Sequence, residues 1–190
     1  MKKFSNMKPD VIKKENDDVL YQDDHLSIVK YEDWNIVKEK DVVVCIIYLM
    51  ETNQFILRHE YIPTFKYQEG QDYHLTLVGG SIEEGETPEK ALIREIEEEA
   101  GIVITPDFKL EMMKPLFMCK GITAKFYPAL VILNENQYHE ILPKGDGSRI
   151  EKISKSVKID VKYINGVNCS DLITDYMLIH LRKYLNIEKI

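Results

Sequence analysis

"GGSIEEGETPEKALIREIEEEAGI", residues 79–102, is the stretch on which the reading of this chain turns. It holds eight glutamates: Glu83, Glu84, Glu86, Glu89, Glu95, Glu97, Glu98 and Glu99. Thr87 suits a helix N-cap, because its hydroxyl can accept from an unpaired N–H of the first turn, and Pro88 suits the first helical turn. Alanine, leucine, isoleucine and glutamate then run to Ala100, and Gly101 stands where a left-handed residue closes a helix. The spacing therefore predicts a helix from Thr87 to Ala100. At ~100° per residue, Glu95, Glu98 and Glu99 share one arc, Ile93, Ile96 and Ala100 turn to the core, and Glu97 points to solvent. Carboxylates at i, i+3 and i, i+4 repel by about 0.2–0.5 kcal/mol per pair. At a helix C-terminus they also oppose the dipole. Hard oxygens converging on one side suit Mg²⁺ or Mn²⁺. The Gly79-Gly80 turn lets backbone approach closely and offers a carbonyl as a further ligand. On this physics alone, the alternative is an acidic helix face in water.

Outward from this stretch the pattern is mostly of strands. "VLYQ", "HLSIVKYEDWNIV", "DVVVCIIYLM" and "FILRHEY" carry alternating or continuous β-branched and aromatic residues. "PTFKYQEGQDYH", residues 63–74, reads as a loop, and "LTLVGG" as one short strand entering the glycine turn. Downstream, "KPLFMC", "KFYPALVIL" and "KSVKIDVKYI" read as extended. Ser170 is the expected cap of a last helix whose apolar positions are Leu172, Ile173, Tyr176, Met177, Leu181 and Tyr184. Strands flanking helices in mixed order give an α/β (α+β) class with helices packed on a mixed sheet.

The 190 residues, 44% apolar and 30% charged, suit one soluble domain with a real core. A net charge of −7 argues against DNA, long RNA or an anionic membrane as partner. No stretch approaches the ~20 apolar residues of a membrane span. Cys45, Cys119 and Cys169 are widely spaced and odd in number, which fits free thiols in a reducing cytoplasm. Residues 1–18 read as a frayed polar tail, 19–38 as a strand pair, and 39–190 as the main domain.

The spacing Gly80, Glu86, Arg94-Glu95-Ile96, Glu98-Glu99, Gly101-Ile102 fills nine specified positions over 23 residues. It resembles the box of the Nudix hydrolase superfamily at every fixed position. The order of strands before it, and the strand pair plus helix after it, resemble the branch of ADP-ribose pyrophosphatases and nucleoside diphosphate sugar hydrolases. The resemblance implies an α/β/α sandwich in which the box forms a loop–helix–loop and holds one to three Mg²⁺ ions (or Mn²⁺) against a diphosphate. By motif position it implies Glu98, Glu99 and Glu95 as metal ligands, with the Gly79 carbonyl. Glu86 and Arg94 become an orienting pair, and Glu86 also touches metal in some members. A base in a loop after the box is implied at Glu151, or at Asp146. The implied reaction releases a nucleoside monophosphate and a phosphorylated product from a small nucleoside diphosphate derivative.

Around the box, Arg58, Lys66 and Lys120 are candidates to meet phosphate, and Tyr61, Phe65, Tyr67 and Tyr73 to stack on a base. The chain also departs from the branch. "RHEYIPT" keeps only the first arginine of Arg-Gln-Tyr-Arg-Pro, Thr76 stands where a strand glutamate is common, and Lys120 where a proline often marks ADP-ribose enzymes. A Nudix-fold sensor with little catalysis is the alternative class. Dinucleotides, modified nucleoside triphosphates and RNA caps are the alternative substrates. Residues 19–38 further imply, by the same resemblance, a homodimer in which this segment pairs across a two-fold axis.

Overall fold

The computed structural model describes residues 18–145, 152–169 and 171–187. Strands β1 (Asp18–Gln22), β2 (Ser27–Tyr31) and β3 (Trp34–Lys38) form a separate antiparallel sheet in that order. A strand pair was expected here. Glu32 takes a left-handed φ of 53°, which folds "SIVKYEDWNIV" back on itself, so the appendage has three strands.

The main body follows with β4 (Val42–Leu49), β5 (Gln54–Tyr61), α1 (Pro63–Glu69), β6 (Tyr73–Thr76), β7 (Val78–Ser81) and α2 (Pro88–Glu95). The last turn of that helix, Ile96–Ala100, is π-wound. Then come β8 (Ile102–Ile104), β9 (Lys109–Met112), β10 (Leu116–Phe117), β11 (Lys125–Leu133), β12 (Tyr138–Glu140), β13 (Lys155–Asp160) and α3 (Leu172–Tyr184). The main sheet runs β10-β11-β4-β5-β13, with β9 on β11, β7 on β4 and β6 on β5. β11 and β4 are parallel and the other pairs antiparallel. This is the mixed sheet expected from the sequence.

Period-2 alternation along β4 builds both sides of a sandwich. Val43, Cys45, Ile47 and Leu49 face α2, where Ala91, Leu92 and Ile96 are fully buried. Val44, Ile46 and Tyr48 face α3, against Met177, Leu178 and Leu181. Full burial of one leucine or isoleucine contributes about 1.5–3 kcal/mol. That outweighs the repulsion among the glutamates on the opposite side of α2 and lets the helix carry them.

Four local expectations are corrected. Ile93 is 38% exposed, because the core side of α2 is Ala91, Leu92 and Ile96. Residues 63–69 form a helix, started by Pro63 and ended by Gly70 at φ 74°, although none of its residues is buried. "LTLVGG" splits into β6 and β7, which pair with different neighbours. The last helix is capped by Asp171, whose carboxylate accepts from the Thr174 N–H at 2.8 Å, and Leu172 lies exposed. Ser170 lies outside the described residues.

The appendage is tied to its own chain along the β3 edge. The Val37 N–H donates to Gly121 O at 2.8 Å, and the Thr123 N–H donates to Val37 O at 2.9 Å. Asp41, between β3 and β4, ties β11 to the end of the glycine strand. Its carboxylate accepts from the Lys125 N–H and the Tyr127 hydroxyl, and its carbonyl accepts from the Ile82 N–H at 2.8 Å.

Candidate active site

The site forms where β7 passes under the C-terminal half of α2. Gly79 and Gly80 make this approach possible. A Cβ on Gly79 would stand 2.1 Å from the Val43 carbonyl oxygen, and one on Gly80 would stand 2.4–2.6 Å from the Glu95 carboxylate. Helix entry is as read from the sequence: the Thr87 hydroxyl accepts from the Lys90 N–H at 3.3 Å. Gly101 closes the helix in the left-handed region at φ 63°.

Arg94 gathers the acidic groups. Its guanidinium meets Glu86 side-on, Nε to Oε1 at 3.2 Å and Nη2 to Oε2 at 3.1 Å. Nη2 also donates to Ser81 O at 2.9 Å, and Nη1 reaches Glu95 at 2.6 Å and Glu98 at 3.1 Å. This planar fork ties the loop, the strand and the helix together. The paired Arg94 holds the Glu86 carboxyl below the usual carboxylate range, and the carboxylates raise the Arg94 guanidinium in turn.

Glu99 is held differently. Its Oε2 accepts from the Gly79 N–H at 2.9 Å, and its Oε1 lies 3.2 Å from Arg58 Nε. Burial pushes this carboxyl up to about 8, against the pull of Arg58 and the Gly79 N–H and with a further push from Glu60 and Glu95. The end of the helix is fastened to β13, where the Ser156 hydroxyl donates to Glu99 O at 3.0 Å.

Two cavities meet at these carboxylates. The larger, about 720 Å³, is lined by Gly79, Gly80, Ser81, Glu83, Arg94, Glu95, Glu98 and Glu99 on the main domain and by Asp24, His25 and Leu26 on the appendage. The smaller, about 330 Å³, lies on the β13 side and shares the Glu98–Glu99 wall. The π turn is what places these residues. It widens the helix across Glu97, Glu98 and Glu99, so a regular wheel misplaces the tail.

The outcome for the sequence-derived residues is mixed. Glu86, Arg94, Glu95, Glu98, Glu99 and Gly79 come together. Glu95 and Glu98 meet through the Arg94 guanidinium, and Glu99 is turned to Arg58. No group of three or more histidine, cysteine, aspartate or glutamate side chains is assembled as a metal cage among the described residues. Arg58, expected at a substrate phosphate, is 3% exposed and braces Glu99. Tyr61 packs edge-on to Tyr73, Phe65 packs against His74, and Lys120 is exposed on the turn before β11. None of these three lines either cavity. Asp146 and Glu151 lie outside the described residues.

Two contributions were missed. Glu60 accepts from the Thr76 hydroxyl at 2.9 Å and presses electrostatically on Glu99. It brings a carboxylate from β5 beside the position where β6 carries threonine. The alternation of β5, with Arg58 and Glu60 on one face, held that signal. Asp23 builds the β1–β2 turn by accepting from the His25 and Leu26 N–H groups at 2.8 and 2.9 Å, which presents Asp24 and His25 at the cavity. "QDDHLS" carried the turn chemistry but nothing that marked its destination.

Comparison with known families matches residues 39–149 to the NUDIX domain. The chain belongs to that family, the Nudix hydrolases. Over 76 residues it is 50% identical to an 8-oxo-dGTP diphosphatase of Haemophilus influenzae, covering 38% of this chain and 56% of that protein. Over 49 residues it is 43% identical to an 8-oxo-dGTP diphosphatase of Proteus vulgaris, covering 26% of this chain and 44% of the relative. The chain thus spans about half the length of the curated relatives it matches. In fold it is similar to the crystal structure of an ADP compounds hydrolase, with a TM-score of 0.60 at 17% identity over 93% of this chain and 95% of the other.

Proposed function

We propose that this protein is a Mg²⁺-dependent pyrophosphohydrolase that cleaves a nucleoside diphosphate linked to another moiety, releasing a nucleoside monophosphate and a phosphorylated product. The observation that carries the reading is the Arg94 clamp, which gathers Glu86, Glu95 and Glu98 beside the glycine strand while Glu99 is braced separately, with Glu95, Glu98 and Glu99 lining one open cavity. Hard carboxylate oxygens on a closely approaching glycine strand fit Mg²⁺ or Mn²⁺. Glu95, Glu98 and Glu99, with Glu86 and the Gly79 carbonyl, are the residues that would hold it. Bound metal would neutralise the diphosphate, activate a water and stabilise the departing phosphate.

The chain's own residues do the rest. Arg94 and Glu86 set the angle between loop and helix. Arg58 and the Gly79 N–H fix the Glu99 rotamer. Proton removal is assigned to Glu151, between β12 and β13 in the sequence. The 8-oxo-dGTP diphosphatase relatives favour a second reading, a modified nucleoside triphosphate as substrate. The three free thiols support a cytoplasmic location. No helix among the described residues is long and apolar enough to cross a membrane. The apolar exposure of the appendage supports a homodimer.

A hydrolysis screen with and without Mg²⁺, over nucleoside diphosphate sugars, dinucleotides and nucleoside triphosphates, tests the reading. The expected result is metal-dependent release of a nucleoside monophosphate, with ¹⁸O from labelled water on phosphorus. Label on a sugar carbon, or no turnover in any class, overturns it.

A further inference from the structure

The smaller cavity is cationic in an acidic protein. Its walls carry Arg58, Lys144, Lys152, Lys155 and Lys158 against Glu98, Glu99 and Glu140. Lys158 is spent on Glu140 and Lys144 on Glu97 at 3.2 Å. Lys152 and Lys155 have no ion-pair partner among the described residues, and both are exposed at the rim. At the base lies Arg58, 3% exposed, whose Nη2 has no acceptor among the described residues. A buried donor left without a partner is costly, and a guanidinium fork matches the oxygens of a phosphate. Ser154, just before β13, and Ser156 on β13 line the same wall, their hydroxyls already bonded to the Tyr61 N–H and Glu99 O. β13 is an edge strand, so its outer side is open to solvent.

We propose that this cavity binds a phosphate monoester group of the substrate, carried beyond the diphosphate that is cleaved. The assignment rests on the pyrophosphohydrolase reading and narrows it. The two cavities share the Glu98–Glu99 wall, so a substrate whose diphosphate lies at the carboxylates can extend past the end of α2. Among the described residues an uncharged tail would leave Lys152, Lys155 and Arg58 Nη2 unanswered, whereas a dianionic tail offers charge to all three. The moiety attached to the nucleoside diphosphate is therefore itself phosphorylated.

Two measurements test this. The first follows inorganic phosphate binding by calorimetry without metal or turnover, in wild type, the Lys152→Met/Lys155→Met protein, the Lys152→Arg/Lys155→Arg protein and a surface control, Lys30→Met. The expected result is at least fivefold weaker binding in the methionine pair, with affinity kept in the arginine pair and the control. Equal affinity in wild type and the methionine pair overturns the site. The second compares KM for ADP-ribose and ADP-ribose 1″-phosphate. The methionine pair is expected to raise KM for the phosphorylated compound about tenfold more than for its parent. An equal change for both overturns the assignment to substrate and leaves a site for free phosphate. Phosphate binding is also measured in Glu98→Gln. Binding kept there while all turnover fails in wild type would separate an error in the catalytic reading from an error in this one.

Discussion

Glu98 and Glu99 are neighbours in sequence and opposites in environment. Glu98 is 30% exposed at the side chain and, among the described residues, its carboxylate reaches only Arg94, whereas Glu99 is buried between Arg58 and the Gly79 N–H. Replacement of Glu98 by glutamine therefore leaves the packing intact, removes one charge from the proposed metal-binding set and is expected to lower kcat by orders of magnitude at saturating Mg²⁺ with an unchanged melting temperature. Wild-type turnover in that variant would remove Glu98 from the site. Arg94→Lys should also fail in activity, since a lysine cannot make the side-on pair with Glu86 while reaching Glu95 and Glu98. Its assay is kcat beside a thermal melt. The glutamates and Arg94 were legible in the sequence because their spacing is set by a loop and a helix, which are local. The bracing role of Arg58, and Glu60 altogether, were not, because their partners Glu99 and Thr76 come from elements brought beside β5 only by the fold.

At the scale of the element, β7 and α2 act as one unit, and their two glycines separate its roles. In Gly80→Ala the new methyl meets the far end of the Glu95 side chain, which can swing away. Stability should fall little, and activity should fall sharply as Glu95 leaves Arg94. In Gly79→Ala the methyl meets the Val43 backbone, which cannot yield, and overpacking of this kind costs about 1–3 kcal/mol. Urea titration of the two variants checks the contrast, and equal destabilisation would refute it. The helix boundaries were readable because Thr87, Pro88 and Gly101 act within one turn. The π turn was not, since it depends on how the C-terminal end is fastened to β13 through Ser156 and to the segment after β12 through Ile141 and Gly145. The splitting of "LTLVGG" was hidden for the same reason: two partners compete for one apolar run.

At the scale of the whole molecule, the appendage leaves Val19, Leu20, Tyr21 and Trp34 more than half exposed. A small sheet with so much apolar surface gains from a second copy, which supports the proposed homodimer. Light scattering coupled to size exclusion should give about twice the 22.2 kDa chain mass at micromolar concentration, and a monomer mass rejects the dimer. The layers and sheet class were legible because alternation along β4 faces two apolar helices, while the third appendage strand was masked by a turn built on an ordinary glutamate. Thiol chemistry reports on the same architecture. Cys119 is exposed, Cys169 is pushed up to about 11 by burial, and Cys45 is raised far above the ordinary thiol range. A thiol reagent should react fast with one group, slowly with a second, and with the third only after unfolding. The parallel pairing of β4 with β11 has a kinetic consequence. Val42 meets Phe126, 84 positions later. Loop-closure entropy must be met before that contact gives anything back, so the central pairing forms late. A nascent chain carrying the entire glutamate helix still lacks the strand that closes its sheet. During synthesis at ~5–20 residues per second, the acidic cluster thus emerges seconds before the scaffold that organises it.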